Sequence, residues 1–364
     1  MKSSIRVLVV DDSALMRKLL AQMLESDPGM VVVGTALNGE FALRKIEELR
    51  PDVVTLDLEM PGLTGIEVLK QIMRKHKTPV VVVSSHSTAG ASITLKALAL
   101  GAVDFVAKPG DIVQLPEVTR ELIAKIRVAA ESKMVQPLPE SPATLRAKSH
   151  KPSDFPQRPA AKLFAIGIST GGPYALEHVF SQLPAEFPGA IVVVQHMPEG
   201  FTSLFAKRLD DACAVQVKEA APGDLLLAGR VLICPGNRHI RVKRLPFGDV
   251  VALNEDERVN GHRPSADVLF RSVAKEFGRQ GVALLMTGMG DDGAEGMGDV
   301  RDAGGMTLTQ SEDSCVVYGM PKSAVERGYS LRTVGLKEIP QVLQWLAEPE
   351  RKHSATAGGT QLPK

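Results

Sequence analysis

The feature that most constrains the fold is a rhythm: short apolar, largely β-branched runs without polar alternation, set between longer amphipathic stretches. In the first third of the chain the runs fall at 7–10, 31–33, 53–56, 80–83 and 103–106, and the amphipathic stretches at 14–25, 39–49, 65–75, 93–100 and 116–130. An unbroken apolar run of this kind suits a strand buried on both faces, as in a parallel sheet covered by helices. Five strands alternating with five helices predict an α/β unit with a doubly wound parallel sheet. The rhythm returns with different spacing at 163–168, 190–195, 231–234, 282–286 and 306–309, with helical patterns at 173–183, 201–211, 265–277 and 321–327. A second and larger α/β sheet is expected there. Residues 215–254 lack a long helical pattern and leave room for hairpins, and no internal repeat makes one half a copy of the other.

The two rhythmic regions are separated by a change of composition. Pro137, Pro139, Pro142, Pro152, Pro156 and Pro159 crowd residues 129–160. Proline fixes φ near the extended polyproline value, so this stretch should act as a semi-rigid spacer. The expected organisation is a first domain over 1–128, a linker over 129–160, a second domain over 161–348 and a polar tail over 349–364 that should fray. At 364 residues, each half is long enough to bury its own core. The 43 basic and 42 acidic residues leave a net charge of +1, so no global field draws the chain to nucleic acid or anionic lipid. No apolar run approaches the roughly 20 residues of a membrane-spanning helix. Cys213, Cys234 and Cys315 show no metal-ligand or C-x-x-C spacing and read as reduced, structural cysteines of a cytoplasmic protein.

In an open parallel sheet, ligands bind beyond the carboxyl ends of the strands. In the first unit these ends carry Asp11-Asp12, Asp57, Ser84 and, after the fifth strand, Lys108. Each alone has an ordinary role, as a helix cap or as surface. Together, converging carboxylates repel one another unless a hard cation sits among them, and an all-oxygen set suits Mg²⁺. Lysine adds a point charge for an anion and serine a hydrogen bond. The set describes a site for Mg²⁺ and a phosphoryl group, with one aspartate available as the nucleophile.

The second unit has a different edge. The run 163–168 breaks into Ser169-Thr170-Gly171-Gly172-Pro173 before an amphipathic stretch, and Gly167-Ile168-Ser169-Thr170-Gly171 satisfies G-x-S-x-G, a strand-turn-helix that exposes a hydroxyl. Such turns also bind phosphate or simply pack. A serine nucleophile needs a base, and the base an orienting acid. His196 ends the next strand at the same edge, and the strand over 282–286 runs into Asp291-Asp292, either of which could orient it. His239, after a turn, and His262, before a helix with Ser265 as its expected cap, are competing histidines. The order Ser, His, Asp differs from that of α/β-hydrolases. A DNA-binding output domain would need a basic helix-turn-helix, and a nucleotide site a Walker lysine; neither pattern follows the linker.

On these motifs the chain resembles two families. Residues 1 to about 127, with Asp11-Asp12, V-V-T-L-D ending at Asp57, E-M-P-G-L-T-G-I-E and D-F-V-A-K-P, resemble a response-regulator receiver domain, which implies a flavodoxin-like fold. The resemblance implies that Asp57 accepts a phosphoryl group from a chemotaxis-type sensor histidine kinase. It also implies that Asp12, Asp57 and the Glu59 carbonyl hold Mg²⁺ with Asp11 behind them, and that Ser84 and Lys108 contact the phosphoryl oxygens. Phe105 takes the aromatic switch position, and the peptide before Pro109 would be cis. Residues 161–346 carry I-G-I-S-T-G-G, V-V-Q-H-M-P, C-P-G-N-R-H, H-R-P-S-A-D-V-L-F and M-T-G-M-G-D-D-G-A-E-G-M, and resemble the catalytic domain of the chemotaxis protein-glutamate methylesterases, with a Rossmann-like fold. By that resemblance Ser169 is the nucleophile, His196 the base and Asp292 the orienting acid. Thr170 flanks the nucleophile and Met289 supplies an oxyanion-binding N–H. The implied activity is demethylation of glutamyl γ-methyl esters, and deamidation of specific glutamines, on methyl-accepting chemoreceptors. It would be controlled by an inhibitory receiver and need no cofactor in the esterase domain. A monomer is expected, with no nucleic-acid partner and no membrane insertion.

Overall fold

A computed structural model describes residues 4–85, 87–109, 115–132 and 158–348. The first unit runs β1 (Ile5–Val10), α1 (Ala14–Glu25), β2 (Met30–Ala36), α2 (Gly39–Leu49), β3 (Val53–Asp57), α3 (Gly65–Gln71), β4 (Val80–Ser84), α4 (Thr88–Ala99), β5 (Asp104–Ala107) and α5 (Leu115–Glu131). Its sheet is parallel throughout, in the order β2-β1-β3-β4-β5. Val53, Val54, Val80, Val81 and Val82 are wholly buried, as strands covered on both faces require.

The second unit runs β6 (Leu163–Ile168), α6 (Gly172–Phe180), β7 (Ala190–Gln195), α7 (Phe201–Ala212), β8 (Gln216–Glu219), β9 (Arg230–Ile233), β10 (His239–Leu245) and β11 (Gly248–Asn254). It continues through α8 (Ala266–Phe277), β12 (Gly281–Leu285), α9 (Ala294–Asp302), β13 (Met306–Gln310), α10 (Met320–Glu326), β14 (Arg332–Val334) and α11 (Ile339–Ala347). Its seven-stranded parallel sheet has the order β14-β13-β12-β6-β7-β9-β8. The hairpin expected within 215–254 is β10–β11, antiparallel and outside that sheet. The chain leaves β6 toward β7 and later returns to β6's other side as β12, so strand order reverses between β6 and β12. A crevice at such a reversal is the usual ligand site of an open α/β sheet.

Helix α5 continues to Glu131, past the expected domain boundary at 128. Most of the proline-dense linker, and the tail over 349–364, lie outside the described residues. The two units touch. Helix α4 packs on α6 and α7, the Phe105 ring of β5 stacks on Phe201 of α7 at 4.7 Å and 20°, and Asp104 Oδ2 accepts a 2.5 Å hydrogen bond from Thr170 Oγ1. Val316, which lies against Gly171, joins the first unit's core cluster of Val106, Val118 and Leu122. Among the described residues, no helix is long and apolar enough to cross a membrane.

Candidate active site

The first sheet edge gathers the acidic residues that the sequence singles out. Carboxylate oxygens of Asp11, Asp12 and Asp57 lie within 4.8 Å of one another, with Asp11 and Asp57 buried and Asp12 exposed. Lys108 Nζ bridges Asp57 Oδ2 at 2.7 Å and Asp11 Oδ2 at 2.9 Å. Burial opposes the Lys108 ammonium, but these bonds outweigh it and hold its pKa above the ordinary lysine value; burial in turn raises Asp11. One ammonium against three carboxylates leaves net negative charge in an all-oxygen cluster, a donor set that suits Mg²⁺. Ser84 is engaged with α4: Thr94 Oγ1 donates to its hydroxyl at 2.6 Å, and that hydroxyl donates to Gly90 O at 3.3 Å. Phe105 is buried against Phe201. The cis X-Pro bond found among the described residues is Arg263–Pro264, so the expected cis peptide before Pro109 is not met.

At the second edge, β6 and β7 are paired in register through Ile168 and Gln195, and His196 N donates to Ile168 O at 3.1 Å. Ser169 and His196 therefore leave adjacent strands side by side. The Ser169 turn is fixed from three directions: Ser169 N donates to Thr287 O, Gly172 N to Ser169 O, and Gln195 Nε2 to Ser169 O. Gly171 adopts φ +78, and a Cβ there would meet Val316 Cγ2 at 2.5 Å, so the turn requires glycine. Thr287 Oγ1 donates to Thr170 O at 3.0 Å.

His196 Nε2 lies 2.8 Å from Asp292 Oδ2. Asp292 is almost wholly buried, and its oxygens also accept from Ser265 Oγ at 2.5 Å and Ala266 N at 2.7 Å. Two longer bonds of 3.4 Å come from Asp267 N and Asn260 Nδ2. Burial raises a carboxyl, but the His196 hydrogen bond and charge, then Ser265 and Ala266, outweigh it and bring Asp292 down to about 2. The carboxylate thus caps α8 from across the site. Ser265, expected to cap that helix with its own side chain, instead donates to Asp292. Asp291 is exposed and pairs with Arg327 at 3.3 Å, which separates it from its neighbour.

The competing histidines also separate. His239 is fully buried, with Nε2 3.0 Å from Glu257 O, and ties the start of β10 to the loop after β11. His262 lies face to face with His196, ring centroids 4.0 Å apart at 4°. Met289 is partly exposed at the rim. Among the described residues no hydrogen bond joins the Ser169 hydroxyl to His196, and His196 Nδ1 is buried without a hydrogen-bond partner. Catalytic hydrogen bonds are often loose before substrate binds. Ser265, the Ala266 N–H and Asn260 escaped the sequence reading as groups around Asp292, although N-G-H-R-P-S-A-D held all three.

Comparison with known proteins finds matches for both units. Residues 164–343 match the family model described as CheB methylesterase, and residues 7–120 the one described as response regulator receiver domain. The chain is 57% identical over 356 residues to protein-glutamate methylesterase/protein-glutamine glutaminase 2 of Koribacter versatilis, covering 96% of this chain and 98% of that one. It is 46% identical over 350 residues to the protein of that name, without the number, from Symbiobacterium thermophilum, covering 93% and 96%. The crystal structure of the Thermotoga maritima CheB methylesterase catalytic domain matches with 38% identity and a TM-score of 0.50, over 51% of this chain and 99% of that one.

Proposed function

From the premise that this chain belongs to the protein-glutamate methylesterase/protein-glutamine glutaminase family, and so is a hydrolase with a receiver domain, we propose that Ser169, His196 and Asp292 perform the hydrolysis on methylated chemoreceptors. The observation that carries this reading is the buried His196–Asp292 bond beside the Ser169 turn. With Nε2 committed to Asp292, Nδ1 is the nitrogen that takes the Ser169 proton. The alkoxide attacks the glutamyl γ-carbonyl, and the oxyanion sits against the Met289 N–H, with Thr170 shaping the turn. Collapse expels methanol, protonated by His196, and leaves a glutamyl ester on Ser169. Water, deprotonated by His196, releases the carboxylate. A glutamine amide follows the same path and expels ammonia.

Control comes from the first edge. Asp57 accepts a phosphoryl group from a chemotaxis-type histidine kinase, with Asp12, Asp57 and the Glu59 carbonyl placed to hold Mg²⁺ and Asp11 behind them. Bound Mg²⁺ would neutralise charge on the transferring phosphoryl oxygens. Lys108 then meets a phosphoryl oxygen, and Ser84 turns from Gly90 to meet another. The docked receiver touches the neighbour of the nucleophile through Asp104 and Thr170, and its switch ring lies on Phe201, which supports an inhibitory resting state. Substrate and kinase place the protein in the cytoplasm, and the esterase chemistry needs no cofactor. The test is methanol release from membranes carrying methylated chemoreceptors: Ser169→Ala should fold normally and release none, and full activity in that variant would overturn the assignment.

A further inference from the structure

We propose that His262 is a positioning residue that holds the His196 ring in its working plane; the inference rests on the Ser169–His196–Asp292 reading above. A single hydrogen bond, Nε2 to Asp292, fixes one atom of the His196 ring, and fixing a plane takes a further contact. The parallel stack on His262, 4.0 Å between centroids and 4° between planes, supplies it.

His262 is itself held. Val259-Asn260-Gly261-His262 closes a two-residue hairpin, with reciprocal backbone bonds of 3.0 and 2.9 Å and φ of 53 and 76 at Asn260 and Gly261, values that suit an Asn-Gly turn. Asn260 Nδ2 donates to buried Asp267 at 2.7 Å, and Arg263 is tied to Asn237 and to the carbonyls of Glu255 and Asp256. The loop between β11 and α8 is therefore pinned on both sides of the histidine it presents. His239, through Glu257 O, pins the same loop from β10.

Charge fits the role. The groups facing His262 are His196, Asp292, Arg258 and Asp291, and burial together with His196 holds its pKa down at about 4. It is thus neutral at neutral pH. When His196 takes the Ser169 proton, the new imidazolium meets a polarisable neutral ring and no second cation.

The test is steady-state methanol release by the full chain on methylated receptor membranes, with kcat and KM measured separately. His262→Ala should lower kcat by about tenfold or more, since a misplaced general base is costly, while KM changes less than about twofold. His262→Phe keeps a ring face and should recover kcat to within about threefold of wild type. Wild-type kcat in His262→Ala, alongside an inactive Ser169→Ala, overturns this inference and leaves the nucleophile assignment intact. Equal losses in the Phe and Ala variants also overturn it, since the ring face would then not matter. An active Ser169→Ala overturns both readings.

Discussion

The two sheet edges share a topology and differ in how their carboxylates are satisfied. At the receiver edge three carboxylates cluster and one lysine pairs with two of them, so the cluster carries surplus negative charge. At the esterase edge one carboxylate collects His196, Ser265 and the α8 amides, and nothing is left over. An edge with surplus charge is set up to change when a cation and a phosphoryl group arrive. A saturated carboxylate is set up to stay still, because losing any donor in a buried site costs the desolvation of the remaining partner. On the proposed function, switching and chemistry sit on separate sheets and would communicate through contact.

The largest effect should come from breaking the saturated edge. Asp292→Asn keeps the shape but puts an amide where Nε2–H needs an acceptor, which favours the wrong imidazole tautomer; kcat should fall by ~10³ or more. Near-wild-type kcat would show that His196 needs no orienting acid.

The next effect should come from loosening the contact between edges. Asp104 accepts from Thr170 and also pairs with Lys125, which keeps Glu121 as a second partner. Asp104→Ala should raise methanol release by the unphosphorylated chain about tenfold, the yield of losing roughly 1.4 kcal/mol from the docked state. An unchanged basal rate would detach this contact from inhibition.

A third effect is on stability, and it separates two groups of the esterase edge by pH. The folded chain keeps His262 neutral down to about pH 4, whereas the unfolded chain protonates it near 6.5. Stability should therefore fall as pH drops through that window, by at most about 3 kcal/mol. The stability from Asp292, whose folded pKa is about 2, is complete above 3.8 and is lost as pH falls toward 2. Urea unfolding of His262→Phe should lose the slope between pH 6.5 and 4 and keep the more acidic one.

Legibility in the sequence followed burial. Strands 163–168 and 190–195 were readable to the residue because every side chain in them is buried. By contrast, β8 (Q-V-K-E) is a sheet edge with one buried residue, and β14 is three residues long, so neither gives a periodic signal. Helix α9 hid behind Gly296 and Gly298, poor helix formers kept because a Cβ at 296 would meet Phe270 Cβ at 2.7 Å. At the second edge Ser169 and His196 were legible as residues at strand ends, while spacing left Asp291 and Asp292 open and only the family resemblance chose Asp292. The surroundings of Asp292 and the His196–His262 stack were not legible, since they depend on how the loop from 255 to 264 folds back, and spacing along the chain carries no such distance.

The link between edges is tested most directly by methanol release from methylated receptor membranes, measured on the full chain with Mg²⁺ before and after a small-molecule phosphodonor is added. The account predicts a rise of about tenfold or more in wild type and none in Asp57→Asn. An equal rise in both proteins, or no rise in wild type, would contradict it.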